Sequence, residues 1–168
     1  MSQTDRASLR PRPWLLFSEE DLPSLRAVSR TENGRAFFDH AVGYCERYLD
    51  PGDPLYFDYR ERINAYWTKR EGNFVVPGHL CALALMGWIA GRREFLEAAR
   101  DAFLTVIEHR LADQVIGYTV NPYLGWRGNN QHDAGKYAFA VAFLYDTLHS
   151  VCTDEQRERL QLYAAETL

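Results

Sequence analysis

No stretch of this sequence approaches the roughly 18 uninterrupted apolar residues of a membrane span. The amino end, MSQTDRASLRPRPW, carries positive charge but no apolar core segment of the kind an export signal needs. As given, the chain is therefore expected to be soluble and cytoplasmic, or periplasmic or secreted if its amino end is incomplete. Cysteine is scarce and odd in number: Cys45, Cys81 and Cys152 lie far apart in helical patterns, where free cysteine acts as a small buried hydrophobe and a structural disulfide is not expected. Basic residues form no stripe, and the formal charge is −4, which excludes duplex nucleic acid and an anionic membrane surface as obvious partners. G-x-G-x-x-G, P-loop, G-x-S-x-G and H-E-x-x-H motifs are all missing. His40, His109 and His149 fall on different helices without ligand-like spacing, so neither a metal nor a cofactor is expected.

What the sequence does contain is helix, over a single helical domain spanning 1–168. Residues 1–17 form an extended, Pro-rich lead. Ser18 and Asp21 then resemble a capping box for a short helix from Glu19 to about Ser29. The next helix runs from about Gly34 to Leu49, with Phe37, Phe38, Ala41, Val42, Cys45, Tyr48 and Leu49 at the three-and-four spacing of a buried face. It ends at Asp50-Pro51-Gly52-Asp53-Pro54, and a further helix is read through Tyr59 to Trp67.

Val75 to Ala90 (VVPGHLCALALMGWIA) is apolar on every side and has to be buried all round. Gly91 stops it, and Arg93 to Leu111 is amphipathic, an outer helix. The pattern repeats. Ala134 to Leu148 is apolar on most sides, and Thr153 with Gln156 caps an amphipathic helix that turns Leu160, Tyr163, Ala164 and Leu168 inward. An inner helix followed by an outer helix, twice over, predicts an all-α fold, an incomplete (α/α) toroid of helical hairpins. A helical solenoid competes, but the two units lack the residue-level similarity of repeats. Their connector, Ala112 to Asp133, is also long and aromatic, as functional loops are.

Three segments, in order, carry a resemblance: RPWLLFSEEDLPSLRAVSRTENGRAFFD, HLCALALMGWIAGRREFLEAARDAFLTVIEH and HDAGKYAFAVAFLYDTLHSVCTDEQRERL. Together they resemble the N-terminal helical region of heparinase II/III-like and alginate-lyase-like polysaccharide lyases. The most specific pieces are LLFSEEDLPSLR and the run through Ala142, Tyr145, Asp146, Leu148, Thr153 and Glu155. Thr147 stands where that motif usually has Trp. The resemblance implies the N-terminal part of a larger α/α toroid that, when complete, cleaves uronic-acid-containing polysaccharides by β-elimination. It also implies that the catalytic Asn, His and Tyr positions lie mostly beyond the Tyr-Asp helix, so this chain alone is expected to be inactive.

Elimination at a uronate needs donors that neutralise its carboxylate, a base for the C5 proton and an acid for the leaving oxygen. Asn, Arg, His and Tyr supply these functions, and Tyr118 to His132 contains all four types. The expected substrate-binding residues are Tyr123, Trp126, Arg127, Asn129, Asn130 and His132 on one connector, Trp67 and Arg70 on the other, and His79 in the first inner helix. If the inner helices run parallel, their first turns open onto one rim, where helix N-termini favour anions. The bland readings are that Asn130 or Asp133 caps a helix, that His79 is a core histidine, and that Tyr123 and Trp126 pack beneath the loop. Asp146, inside an inner helix, is expected to be structural, with an Arg or a backbone donor as partner.

The expected partner is an acidic polysaccharide or oligosaccharide, with self-association through the unfinished toroid face. A noncatalytic helical glycan-binding or scaffold module is the alternative. A toroid-type glycoside hydrolase needs two acids across its groove, and Gly117 to Gln131 contains none.

Overall fold

Tertiary packing begins at the end of the Pro-rich lead, where Phe17 is buried with Leu22 among residues from the later helices. A computed structural model describes residues 12–13, 15–56, 72–108 and 130–167, leaving aside the side chains of 72–77, 130–137 and 166–167. Every regular element among the described residues is helical: α1 (Leu22–Val28), α2 (Glu32–Leu49), α3 (Gly72–Ala90), α4 (Arg93–Glu108), α5 (Asn130–Leu148) and α6 (Asp154–Thr167). Two 3-10 turns, Glu19–Asp21 and His149–Val151, precede α1 and α6.

The helix ends follow local chemistry. The Asp21 carboxylate accepts from the Ser18 N–H at 2.7 Å and from its hydroxyl at 2.8 Å, and Pro23 stands where a first-turn residue has no N–H to lose. Thr31 Oγ1 accepts from the Gly34 N–H, which starts α2 at Glu32, two residues before the expected start at Gly34. Asp50 closes α2, and its carboxylate takes the Gly52 N–H at 2.9 Å. The capping box before α6 is complete: Gln156 Oε1 accepts from the Thr153 N–H at 2.9 Å, and Thr153 Oγ1 accepts from the Gln156 N–H at 3.2 Å.

α3 is the hub, packed against α1, α2, α4 and α5, as a helix without a polar face has to be. Gly91 adopts φ 69°, and the following Arg92 N–H reaches back to the Gly87 carbonyl at 2.9 Å. This left-handed cap reverses the chain into α4 at once. α4 is amphipathic, burying Phe95, Leu96, Ala99, Ala102, Phe103, Leu104 and Val106 while Glu94, Asp101 and Glu108 face water. α5 lies beside α3, with Val141, Phe143, Leu144 and Leu148 in the common core. α6 covers α4 and α5 with Leu160, Tyr163 and Ala164, and the Tyr163 ring meets Phe103 edge-on at 6.1 Å. Over their described side chains α3 and α5 are thus largely buried, with Phe139 of α5 as an exception, and each is followed by a helix that packs on the core through part of its surface.

Two expectations are corrected. Phe37 does not belong to the buried face of α2: it is 72% exposed, while Cys45 is fully buried and Phe38, Ala41, Val42 and Leu49 pack on the core. At about 100° per residue, Phe38 lies only about 20° around the axis from the fully buried Cys45, whereas Phe37 lies about 80° from it and falls off the core face. The second correction concerns α5, which begins at Asn130, four residues before the apolar run at Ala134. A first turn makes no demand for apolar side chains, so hydrophobic periodicity starts late. The helix expected from Tyr59 to Trp67 lies outside the described residues.

Candidate functional site

The two inner helices are joined at their carboxyl ends. Trp88, in the last turn of α3, donates its indole N–H to the Thr147 carbonyl in the last turn of α5 at 2.8 Å. Each helix is 19 residues long, and they pack side by side, so their amino ends open toward the same side. Asn130 and His132 occupy the first turn of α5. Asn130 is already helical and Asp133 lies inside the helix, so neither occupies the capping position that precedes it. Trp67, Arg70, Tyr123, Trp126, Arg127 and Asn129 lie outside the described residues.

His79, in the second turn of α3, is half-buried and stacked on Tyr48 of α2, with ring centroids 4.0 Å apart and planes 23° from parallel. Burial pushes its imidazole down to about 4, so the ring is neutral at pH 7. Toward an anionic sugar, His79 can therefore offer a ring face or a neutral hydrogen bond but not a positive charge.

The opposite end of the helix pair is built differently. Asp146 is 3% exposed; one oxygen accepts from Arg12 Nη1 at 3.1 Å and the other from the Leu15 N–H at 2.8 Å. Both kinds of partner expected for this carboxylate, an arginine and a backbone donor, are present. Arg12 also lies 4.5 Å over the Tyr145 ring, and Tyr145 meets His149 edge-on. Burial, followed by the nearby Arg157 and Arg12, lowers the His149 pKa.

Three further arginines cap carbonyls at this end. Arg26 donates to Ile89 and Trp88 at 2.9 and 3.0 Å, Arg100 to Val151 at 2.7 Å, and Arg157 to His149 at 2.9 Å. These satisfy orphan carbonyls where the helix dipole favours cations. An open cavity of about 270 Å³ lies here, lined by Leu22, Arg26, Trp88, Leu96 and Ser150 among others. It sits at the carboxyl end of α3, away from the rim at the amino ends.

Sequence reasoning missed these arginine caps, because their partners are 8 to 63 residues distant. It also missed the outward rings of α2, although the spacing of Phe37, His40, Tyr44 and Tyr48 was a signal for them. Among the described residues no group of three or more His, Cys, Asp or Glu could hold a metal ion. No helix there is long and apolar enough to cross a membrane. Comparison with known proteins finds no matching family model, no similar curated protein and no similar solved structure.

Proposed function

We propose that this chain is the N-terminal part of a polysaccharide lyase-like (α/α) toroid, and that it binds an acidic saccharide at the rim where α3 and α5 begin. The observation that carries the proposal is the pairing of two largely buried helices through Trp88 and Thr147, each followed by a covering helix. This arrangement is the building unit of a toroid. It sets the start of α5, with His132 in its first turn, on a helix that cannot shift without disrupting the core. In this reading Trp126 stacks on a sugar ring, Arg127 pairs with a carboxylate, and Asn129, Asn130 and His132 supply hydrogen bonds.

The chemistry proposed for the chain alone is binding without elimination. Self-association belongs to the same reading: Phe139 is half exposed although it sits on an inner helix, which leaves an apolar side open to a second copy.

The test is to titrate the protein with oligouronates, and to incubate it with alginate, heparin and heparan sulfate while recording the ultraviolet absorbance of the unsaturated uronate product. Saccharide binding with no new absorbance is expected. Failure to bind any acidic oligosaccharide would remove the proposal. Product formation would overturn the assignment of binding without catalysis, whereas binding that survives both Arg127→Ala and His132→Ala would move the site elsewhere and favour a glycan-binding module of another design.

A further inference from the structure

α2 carries its side chains in three separate stripes. Phe38, Ala41, Val42, Cys45 and Leu49 turn to the core. Glu32, Asp39, Glu46 and Asp50 share a second side, at helical spacings of seven, seven and four. The third side holds Asn33, Phe37, His40, Tyr44, Arg47 and Tyr48, and none of its members is a carboxylate. Phe37 is 72% exposed, Tyr44 is 37% exposed, and Asn33, His40 and Arg47 are also open to water.

From His40 onward the rings on this third side form a ladder, with Phe37 standing one turn before it. His40 meets Tyr44 at 4.7 Å, Tyr44 meets Tyr48 at 5.9 Å, and Tyr48 stacks on His79 at 4.0 Å. Asp53 holds the Arg47 guanidinium at 2.9 Å, placing it 5.9 Å from the Tyr44 ring. From Phe37 to Tyr48 the stripe spans about 16 Å, counting 1.5 Å of rise per residue. It ends at His79, in the second turn of α3, and so leads toward the amino end of that helix.

We infer that this stripe is a platform for a saccharide chain, extending the rim site outward along α2. The inference rests on the sugar-binding reading of the rim. A pyranose presents a flat C–H face and a hydroxyl edge. The stripe alternates flat rings with the hydrogen-bonding side chains of Asn33, His40 and Arg47, and it keeps the carboxylates of α2 itself on another side, while the Asp53 carboxylate beside it is neutralised by its pair with Arg47. Packing against a second protein helix would favour aliphatic residues at these positions rather than interleaved amide, imidazole and guanidinium groups.

The experiment uses the full chain with two probes, an oligomannuronate hexasaccharide and the corresponding disaccharide, and measures affinity by calorimetry. The wild type is expected to bind the hexasaccharide at least about tenfold more tightly than the disaccharide. The double variant Phe37→Ala/Tyr44→Ala is expected to lose about tenfold for the hexasaccharide, equivalent to about 1.4 kcal/mol, with little change for the disaccharide. Phe37→Ala alone, at the most exposed ring, is expected to lose part of this with its thermal midpoint unchanged. Unaltered hexasaccharide affinity in the double variant, alongside binding that Arg127→Ala abolishes, would overturn the platform and leave the rim reading standing. Loss of self-association without loss of sugar affinity would also overturn it and make the stripe a contact between copies. If the wild type binds neither probe, the rim reading and the platform fall together.

Discussion

The Trp88 indole lies between two buried elements, donating its N–H to Thr147 at 2.8 Å and meeting the Phe17 ring edge-on at 6.3 Å. One side chain thereby fastens α3 to α5 and to the end of the N-terminal lead. Trp88→Phe keeps an aromatic ring but leaves the Thr147 carbonyl without this donor, and is expected to cost about 1–3 kcal/mol in chemical denaturation. A variant as stable as wild type would show that the carbonyl finds another donor.

Asp146 separates stability from binding. Asp146→Ala removes the acceptor of both Arg12 and the Leu15 N–H, and is expected to destabilise the fold by about 3 kcal/mol while speeding amide exchange at residues 15–17. Arg127→Ala and His132→Ala are expected to weaken oligouronate binding and leave the thermal midpoint nearly unchanged. The opposite pattern, with folding lost at Arg127 and His132 and retained at Asp146, would turn the connector into a structural element.

Glycine substitutions are expected to differ in sign. A Cβ at Gly87 would lie 2.7 Å from Leu96 Cγ, and one at Gly34 would lie 2.0 Å from the backbone oxygen of Val28. Gly87→Ala is therefore expected to push α3 from α4 at a cost of about 1–3 kcal/mol, with Gly34→Ala costing more because backbone has to move. A Cβ at Gly43 meets nothing within 4 Å, so Gly43→Ala is expected to stabilise α2 by up to about 1 kcal/mol through helix propensity alone. Thermal melts of the three variants check the order.

His79 makes stability depend on pH. Its imidazole titrates near 6.5 when unfolded and at about 4 when folded, so the unfolded state binds more protons between these values. Stability from this group is complete above about pH 6.5 and is lost as the pH falls through 4. Allowing for partial exposure, the loss is about 2 kcal/mol. His149, also lowered by burial, acts in the same direction. His79→Phe retains a ring against Tyr48 without a titrating proton, and urea midpoints at pH 7 and 4.5 are expected to differ less for it than for wild type. An unchanged difference would assign the acid sensitivity elsewhere.

Local pattern made much of the helical architecture legible. Apolar runs, on every side in α3 and on most sides in α5, identified both as largely buried, and Gly91 and the Thr153–Gln156 pair marked helix ends, because each signal lies within a few residues of the structure it specifies. The same periodicity misplaced Phe37, since it lies at the margin of the apolar stripe and spacing alone does not say how wide the buried face is. In the candidate site, the sequence nominated residue types suited to an acidic sugar and placed His79 on an inner helix, but a ring 31 positions away fixed its environment.

By itself, then, the sequence determined which of the described segments are helical, where several of them start and stop, and which helices are mostly apolar. Only the tertiary structure decided that Arg12 and Leu15 partner Asp146, that Arg26 caps α3, and that Tyr48 stacks on His79 while Phe37 and Tyr44 turn outward. Helix propensity, capping and amphipathic spacing act over one or two turns and can be read along the chain. Pairing of a buried carboxylate, satisfaction of an orphan carbonyl and the choice between core and solvent for a ring depend on groups brought together by packing, at separations no local pattern encodes.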